Sequence, residues 1–474
     1  MPGNEIDILA VNRGTVTAPA GCGKTQLIAE ALSRHNGLKP ILVLTHTNAG
    51  VVALRKRLNT AGVPPKTYRL STIDGWAMRL ISTFPLRSDL DPKVLDLRTP
   101  RNDYPSIRNF AATLLSQGHI NDVIESSYAH LIVDEYQDCS SRQHVLLTWA
   151  AQVLPTCVLG DPMQSIFDFG GDGLANWENE VCTYFPIVGE LDVPWRWVNS
   201  GADELGHWLL DVRRRLYEGH AVDLLEAPEN VSWVELDGKH NYGRQLTAGK
   251  IKPPKGGSVL IIGDSTSPDS QRKFASQIPG AIAVEAVDLR DLVTFARRFT
   301  PDAEDAFEQL TGFAQSVMTG VGAAEFVKRV DSLLKGTARK AASGLELMAI
   351  EFVRDPSFDA AADLLVKINM EGGVRSYRPA VLRACIKALN LCNANPGIEF
   401  YEAVIQMREQ YRLMGRTLPM RAVGSTLLLK GLEAEASVIL NADEMNSKNL
   451  YVAMTRGSMA LTMCSSSHIL VPQG

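Results

Sequence analysis

Residues 18–25 read Ala18-Pro19-Ala20-Gly21-Cys22-Gly23-Lys24-Thr25 and lie between a short β-type run at 15–17 and a helical pattern. This order is typical of a phosphate-binding loop, because the glycines let backbone N–H groups point at phosphate oxygens and the helix adds its positive N-terminus. Lys24 would reach the β- and γ-phosphates, and the Thr25 hydroxyl would hold Mg²⁺. The alternative is a turn that only caps a helix, since Ala18 stands where the motif expects its first glycine. The residues expected to contact a nucleotide are Ala20, Gly21, Cys22, Gly23, Lys24, Thr25 and Gln26.

A second motif follows, where His130-Leu131-Ile132-Val133 leads into Asp134-Glu135-Tyr136-Gln137-Asp138. A buried strand that ends in two adjacent acids completes the metal site of nucleoside triphosphatases. Asp134 would bind Mg²⁺, and Glu135 would orient and deprotonate the attacking water. An acidic turn after a strand is the simpler alternative, but both motifs occur in one chain and in the right order. The sequence therefore predicts hydrolysis of a nucleoside triphosphate.

The composition bounds the class of protein. A chain of 474 residues should hold more than one domain. The seven cysteines are scattered without a C-x-x-C pair, which indicates reduced thiols and argues against a zinc or iron–sulfur site. No run approaches the ~20 apolar residues of a membrane span and no signal-peptide pattern is present, so we expect a cytoplasmic protein that does not bind membranes. With a net charge of −5, any nucleic-acid binding must come from a local groove.

Strand and helix patterns alternate along the first part of the chain. The strand patterns cover 40–45, 67–70, 131–133 and 156–159, and the helical ones cover 49–59 and 142–153. This alternation predicts an α/β fold with a parallel sheet covered on both faces. A second α/β region begins near Val193 and has its clearest strand at 258–262. Residues 301–413 are almost wholly helical, so we expect a helical insertion within a second parallel sheet.

Several motifs in this order resemble those of superfamily 1 helicases of the UvrD/PcrA/Rep type. Residues 134–138 are similar to the family's Asp-Glu-x-Gln-Asp, a closer match than a generic pair of acids. The other resemblances are LTHTNA at 44–49, STIDG at 71–75, GDPMQSIFDF at 160–169, LDVPWR at 191–196, KGLE at 430–433 and LYVAMTR at 450–456.

The resemblance implies two RecA-like P-loop NTPase domains with parallel sheets. The first would cover 1–192, with a reduced insertion at about 80–128, and the second would cover 193–300 and 414–474. Residues 301–413 would be an all-helical insertion in the second domain. ATP would favour closure of the two domains, and its hydrolysis would let them open again. If each domain also binds the single-stranded DNA, this cycle would move the DNA stepwise.

The resemblance also implies roles for single residues. Gln164 would sense the γ-phosphate, and Arg196 and Arg456 would contact it as arginine fingers, because a guanidinium fork binds phosphate oxygens in two places. Trp195 would stack on the nucleotide base, and Glu433 would contact the ribose. The residues expected to contact single-stranded DNA are Thr45, Thr47, Asn48, Thr72 and Phe169, the last by stacking on a base.

Some positions depart from the family's pattern. No glutamine precedes Gln26, so the family's adenine-reading residue is absent and base selectivity stays open. Asp74 and Leu427 stand where the family has histidines near the DNA. The basic run Arg213-Arg214-Arg215 could meet DNA, but a solvated helix face is the interpretation that we favour.

Two functions fit these motifs. One is a DNA-dependent ATPase that translocates on single-stranded or tailed DNA, with 3′→5′ polarity implied by the resemblance. The compact chain also resembles the short UvrD-like subunits of bacterial anti-phage systems, notably the GajB component of Gabija, which works with a nuclease partner. The alternative is therefore a DNA-sensing NTPase subunit that regulates a partner nuclease in a hetero-oligomer without processive unwinding. A scaffold that binds nucleotide without turnover is disfavoured, because it has no need for Glu135 to activate water.

Overall fold

The computed structural model describes residues 6–88, 90–167, 172–413 and 419–471. The chain forms two compact units. The first comprises Met1–Val231, Asp443–Met459 and His468–Gly474, and the second comprises Ser232–Ala442 and Ala460–Ser467. Residues 193–231 and 443–459, which we assigned to a second RecA-like domain, thus pack in the first unit. The division into functional domains stays a prediction.

The strands include two six-stranded sheets within the described ranges. In chain order they are β1 Arg13–Thr17, β2 Ile41–Thr45, β3 Tyr68–Thr72, β4 Leu131–Val133, β5 Thr156–Gly160, β6 Ile187–Glu190, β7 Val222–Asp223, β8 Val231–Glu235, β9 Val259–Ile262, β10 Ile282–Ala283, β11 Met318–Thr319, β12 Arg375–Ser376, β13 Arg421–Gly424, β14 Ala434–Ile439, β15 Gly457–Ser465 and β16 Ile469–Leu470.

The first helices alternate with strands along the chain, and α14 to α19 follow one another with only two short strands described between them. In chain order they are α1 Lys24–Arg34, α2 Asn48–Thr60, α3 Ile73–Thr83, α4 Pro85–Ser88, α5 Pro100–Ser116, α6 Asn121–Ser127, α7 Ser141–Val153, α8 Cys182–Tyr184, α9 Trp195–Val198, α10 Asp203–Tyr217, α11 Asn241–Gly249, α12 Pro268–Gln277, α13 Arg290–Ala296, α14 Ala306–Val317, α15 Ala323–Leu334, α16 Gly344–Arg354, α17 Phe358–Met370, α18 Pro379–Ala394, α19 Phe400–Leu413, α20 Thr426–Leu429 and α21 Ser447–Met454. Short 3₁₀ turns at Tyr136–Asp138 and Pro162–Gln164 follow β4 and β5.

The first sheet has the order β3-β2-β4-β5-β1-β6, and every neighbouring pair is parallel. Its central strands are buried on both faces, which explains why they are continuous apolar runs and do not alternate with polar residues. In β2, Ile41 and Val43 pack into the core on one face, while Leu42 and Leu44 pack into the core on the other. The predicted phosphate-binding loop and both turns follow the carboxyl ends of β1, β4 and β5, where parallel sheets commonly bind their ligands.

The second unit contains the other sheet, in the order β10-β13-β9-β14-β15-β8. The pairings of β9 with β13 and β14, and of β10 with β13, are parallel. Residues 301–413 form α14 to α19, and the only strands described there are the short antiparallel pair β11 and β12. These helices, with α13, enclose an aromatic-rich core that includes Phe299, Phe313 and Phe352. The predicted α/β class is confirmed: the described residues form two six-stranded sheets, and the unit that contains the second sheet also contains the block of helices α14 to α19. This architecture is consistent with two RecA-like domains.

Within the described ranges, no helix is long and apolar enough to cross a membrane.

Candidate nucleotide-binding site

The loop after β1 has the backbone of an anion cradle. Gly21 and Gly23 have φ angles of 72° and 89°, in the left-handed region that favours glycine. A Cβ atom on Gly21 would lie 2.5 Å from the Trp197 ring, and one on Gly23 would lie 3.0 Å from the Trp195 ring. Ala18 is not among the described residues with positive φ, so alanine fits there without strain. Its departure from the motif therefore does not disturb the loop.

Two helices of the same unit hold this loop. The Tyr451 hydroxyl on α21 accepts a hydrogen bond from the backbone N–H of Ala20 at 3.1 Å. The backbone N–H of Arg196 on α9 donates to the Gly21 carbonyl at 3.0 Å. Tyr451 is fully buried, and burial raises the pKa of its hydroxyl well above the ordinary value, so the phenol stays protonated. Tyr451 lies within the motif at 450–456, and the motif itself predicts no role for it.

Lys24, Asp134 and Glu135 form a partly buried charge cluster at the carboxyl edge of the sheet. The Lys24 ammonium lies 3.0 Å from Asp134 Oδ1 and 2.5 Å from Glu135 Oε1. Burial alone would lower the pKa of Lys24, but the two carboxylates raise it above its ordinary value. Lys24 is therefore a permanent cation in this site.

Glu135 has an unusual backbone. Its φ of 57° and ψ of 40° lie in the left-handed region, which a residue with a side chain adopts only when its surroundings fix it. Its Oε2 accepts a hydrogen bond from the Gln137 amide at 2.5 Å, and its N–H donates to Asp134 Oδ1 at 3.0 Å. Such strain is often found at functional positions.

Gln164 ends the 3₁₀ turn that follows β5. Its amide nitrogen donates to Asp161 Oδ2 at 3.1 Å. The nitrogen end of the amide therefore faces Asp161. Asp161 is completely buried. Asp161 and Gln137 lie within motifs that predict no role for them, yet Asp161 contacts Gln164 and Gln137 contacts Glu135.

The two predicted arginine fingers converge on Thr455. Arg196 Nη1 donates to the Thr455 carbonyl at 2.7 Å, and its guanidinium carbon lies 5.2 Å from the centre of the Trp197 ring. Arg456 is buried, with Nε donating to the Val452 carbonyl at 2.8 Å and Nη2 to the Thr455 hydroxyl at 3.1 Å. Both arginines therefore belong to the same unit as Lys24.

The remaining residues that we expect to contact a nucleotide lie in different parts of the structure. Trp195 begins α9 beside Gly23, and Cys22 is buried, with a thiol pKa raised to about 12 mainly by burial. The Gln26 amide donates to Glu30 one turn along α1 at 2.8 Å. Glu433 is exposed in the second unit, directly before β14.

The structure also shows a cation that the sequence analysis missed. Arg57 on α2 donates from Nη1 to the Thr25 hydroxyl at 3.0 Å. Thr25 is the predicted metal ligand, so Arg57 brings a positive charge to the mouth of the loop. Arg57 lies late in α2, the helix that follows the next strand along the chain, and no motif of the sequence marks it.

The predicted DNA contacts lie at the carboxyl ends of two adjacent strands. Thr45 and Thr72 pair in register as the last residues of β2 and β3. The Thr47 and Thr72 hydroxyls accept from the N–H groups of Gly50 and Gly75 at 3.0 and 2.9 Å, so they cap α2 and α3. Asn48 is the first residue of α2. Phe169 lies outside the described residues.

Asp74 is engaged inside the first unit. Arg108 on α5 donates to both of its carboxylate oxygens at 2.7 Å, and the Gln143 amide donates to Oδ1 at 3.0 Å. Arg108 also pairs with Asp172 at 2.9 Å. Leu427, at the other departure from the family's pattern, is 43% exposed on α20.

A segment of the chain is similar to a known protein family. The family model described as UvrD/REP helicase N-terminal domain matches residues 100–180. No curated protein matches the chain. The matched segment contains Asp134, Glu135 and Gln164, so the similarity to that domain covers part of the predicted site.

Proposed function

We propose that this protein is a DNA-dependent ATPase of the UvrD type that translocates on single-stranded DNA. The observation that carries the proposal is the cluster of Lys24, Asp134 and Glu135 beside a loop with cradle geometry. Gln164, Arg196 and Arg456, which the resemblance implies as catalytic, lie in the same unit. The match to a UvrD/REP domain supports a DNA helicase or ATPase activity.

The residues present fit ATP and Mg²⁺. A Cβ atom on either loop glycine would come within 3.0 Å of a tryptophan ring, so only glycine lets the loop keep the curled backbone that points N–H groups at a phosphate. Thr25 and Asp134 are oxygen donors of the kind that Mg²⁺ prefers, together with phosphate oxygens. Bound there, Mg²⁺ would neutralise charge on the phosphates.

The protein groups have separate tasks in this proposal. Lys24 would exchange its carboxylate contacts for the β- and γ-phosphates, which would leave Glu135 free to accept a proton from the attacking water. Gln164 would orient that water. Arg196 and Arg456 would stabilise charge on the γ-phosphate, and Trp195 and Glu433 would hold the base and the ribose.

The proposed DNA path follows the carboxyl ends of β2 and β3. Thr45, Thr47, Asn48 and Thr72 supply hydroxyl and amide groups there, beside helix N-termini that favour phosphate. Phe169 would add a stacking surface. The 3′→5′ polarity stays a prediction from the resemblance.

The ion pair of Asp74 with Arg108 favours a second candidate function. In this structure the carboxylate is held by Arg108 and Gln143, so a DNA contact expected at that position is replaced by an internal one. A subunit that only senses DNA and regulates a partner nuclease, as in the resemblance to GajB, needs fewer such contacts than a processive motor.

The test is steady-state hydrolysis of ATP and of GTP, with and without single-stranded DNA. We expect DNA to stimulate ATP hydrolysis, and Glu135→Gln to lower kcat by about 100-fold or more. Stimulation without displacement of a strand from 3′-tailed DNA would favour the sensor. No hydrolysis of either nucleotide under any condition would contradict both candidates.

A further inference from the structure

Arg213 is mostly shielded from solvent, although its sequence context predicts a solvated helix face. Its side chain on α10 is 13% exposed, while that of the next residue, Arg214, is 68% exposed. Nε and Nη2 of Arg213 both lie 3.0 Å from Asp161 Oδ1, and Nη1 lies 3.3 Å from Glu190 Oε1. The prediction was wrong for Arg213 because helical periodicity turns one member of the basic run toward the sheet.

Asp161 needs this cation. It is 0% exposed, and it follows β5 directly. Its other contacts are neutral donors, the Met163 N–H and the Gln164 amide, both at 3.1 Å. A buried carboxylate without a paired charge is strongly unfavourable, so Arg213 supplies the charge that compensates Asp161 where it holds the turn.

A continuous chain of hydrogen bonds leads from Asp161 to the predicted catalytic base. The Asp161 N–H donates to Gln137 Oε1 at 3.1 Å, and the Gln137 amide nitrogen donates to Glu135 Oε2 at 2.5 Å. Because both ends of the Gln137 amide are used, its orientation follows the position of Asp161. Glu135 in turn contacts Lys24.

We propose that Arg213 is a positioning residue of the nucleotide site: through Asp161 it sets the orientation of the Gln164 amide and, through Gln137, that of the Glu135 carboxylate. This inference rests on the proposed function. Arg213 acts on the rate of hydrolysis without contacting the nucleotide. Its removal therefore lowers kcat and leaves the affinity for nucleotide almost unchanged.

The experiment compares variants in the full-length protein. Arg213→Met removes the charge at similar length, Arg213→Lys keeps the charge without the fork, and Arg214→Met is the matched exposed control. Arg213→Met combined with Asp161→Asn removes both charges. For each variant we would measure kcat for ATP, the Kd of a fluorescent ATP analogue, and the urea midpoint of unfolding.

We expect Arg213→Met to lower kcat by about 10- to 100-fold, as loss of an outer-shell partner commonly does. The Kd should change by less than about threefold. The double variant should recover part of the lost kcat, because the amide that Asp161→Asn introduces can still accept from Gln164 and leaves no unpaired charge. Arg213→Lys should be intermediate, and Arg214→Met should match the wild type.

Several outcomes would overturn the inference. They are an Arg213→Met variant that matches Arg214→Met, an equal loss of affinity and kcat, and a double variant no better than Arg213→Met. If Arg213→Met does not fold, the double variant and Arg213→Lys carry the same comparison. A wild-type protein without hydrolysis would instead overturn the proposed function and this inference together, whereas an active wild type with an unaffected Arg213→Met would overturn this inference alone.

Discussion

Gly21 is constrained twice, by its backbone and by its neighbours. Its φ of 72° disfavours any side chain, and a Cβ atom would meet the Trp197 ring at 2.5 Å. Gly62 offers a matched comparison, because its φ is also 72° but nothing lies within 4 Å of its Cβ position. Chains with alanine at either position share the backbone strain, and only Gly21 adds the clash.

We therefore expect Gly62→Ala to lower the free energy of unfolding by about 1–2 kcal/mol, and Gly21→Ala to lower it by more. Gly21→Ala should also abolish nucleotide binding. Urea denaturation of both variants gives the comparison. Equal losses would mean that the Trp197 ring moves aside without cost.

Tyr451→Phe should weaken nucleotide binding, because the Ala20 N–H loses its buried acceptor and the loop loses a fixed point. We expect the Kd of a fluorescent ATP analogue to rise by about tenfold, or ~1.4 kcal/mol. Tyr242→Phe, at a tyrosine that is 39% exposed, is the control. An unchanged Kd in Tyr451→Phe would show that this contact does not hold the loop.

The sequence predicts the candidate site where its residues are local. Lys24 and Glu135 were found because a strand followed by a fixed order of residue types defines their environment. Arg213, Tyr451 and Arg57 were missed because no local motif marks the residue that each of them contacts. Tyr451, for example, contacts Ala20 across 431 positions. Periodicity describes a helix face and cannot tell which neighbour that face meets.

At the scale of elements, Arg108 ties α3, α5 and α7 together through Asp74, which also accepts from Gln143. We expect Arg108→Met to lower the free energy of unfolding by about 3–5 kcal/mol. The variant removes the positive charge that pairs with the mostly buried carboxylates of Asp74 and Asp172. The control is Arg98→Met, whose side chain is 81% exposed beside Asp96. Thermal or urea unfolding distinguishes the two. A small loss in Arg108→Met would mean that water replaces the guanidinium.

His144 on α7 gives the fold a dependence on pH. Burial lowers the pKa of its imidazole below the ordinary 6.5, and its Nδ1 lies 2.9 Å from the Tyr136 hydroxyl. The unfolded chain therefore takes up a proton at a higher pH than the folded chain does. The contribution of His144 to stability is complete above about pH 6.5 and is lost as the pH falls toward the folded-state pKa.

We expect the free energy of unfolding to fall between about pH 7.5 and pH 5.5, and to fall less in His144→Gln, which cannot titrate but keeps a polar partner for Tyr136. Urea denaturation at both pH values measures the difference. An equal fall in the variant would assign the effect to other groups, such as His130, whose pKa burial also lowers.

The elements themselves follow the sequence pattern closely. The strand pattern at 40–45 became Ile41–Thr45, and the helical pattern at 142–153 became Ser141–Val153. Continuous burial of β2 and a capping box at Ser140 and Gln143 are local features that a sequence displays. The order of strands in each sheet depends on which elements pack together, and no local pattern contains that information.

At the scale of the whole molecule, the last part of the chain returns to the first unit. The chain passes between the units at residues 231–232, 442–443, 459–460 and 467–468. A protein truncated after residue 442 retains Lys24 and Glu135 but lacks Tyr451 and Arg456. We expect it to bind a fluorescent ATP analogue at least about tenfold more weakly than the full chain. Unchanged affinity would show that α21 does not support the loop.

The same return of the chain sets an order of events during synthesis. The ribosome makes the predicted phosphate-binding loop 431 positions before Tyr451, whose hydroxyl accepts from that loop. More than four hundred further residues must therefore be synthesised before the loop can form its hydrogen bond with Tyr451. A nascent chain that has not yet reached α21 would therefore lack the buried hydroxyl that accepts from the Ala20 N–H, and the loop would keep more conformational freedom until that helix is made.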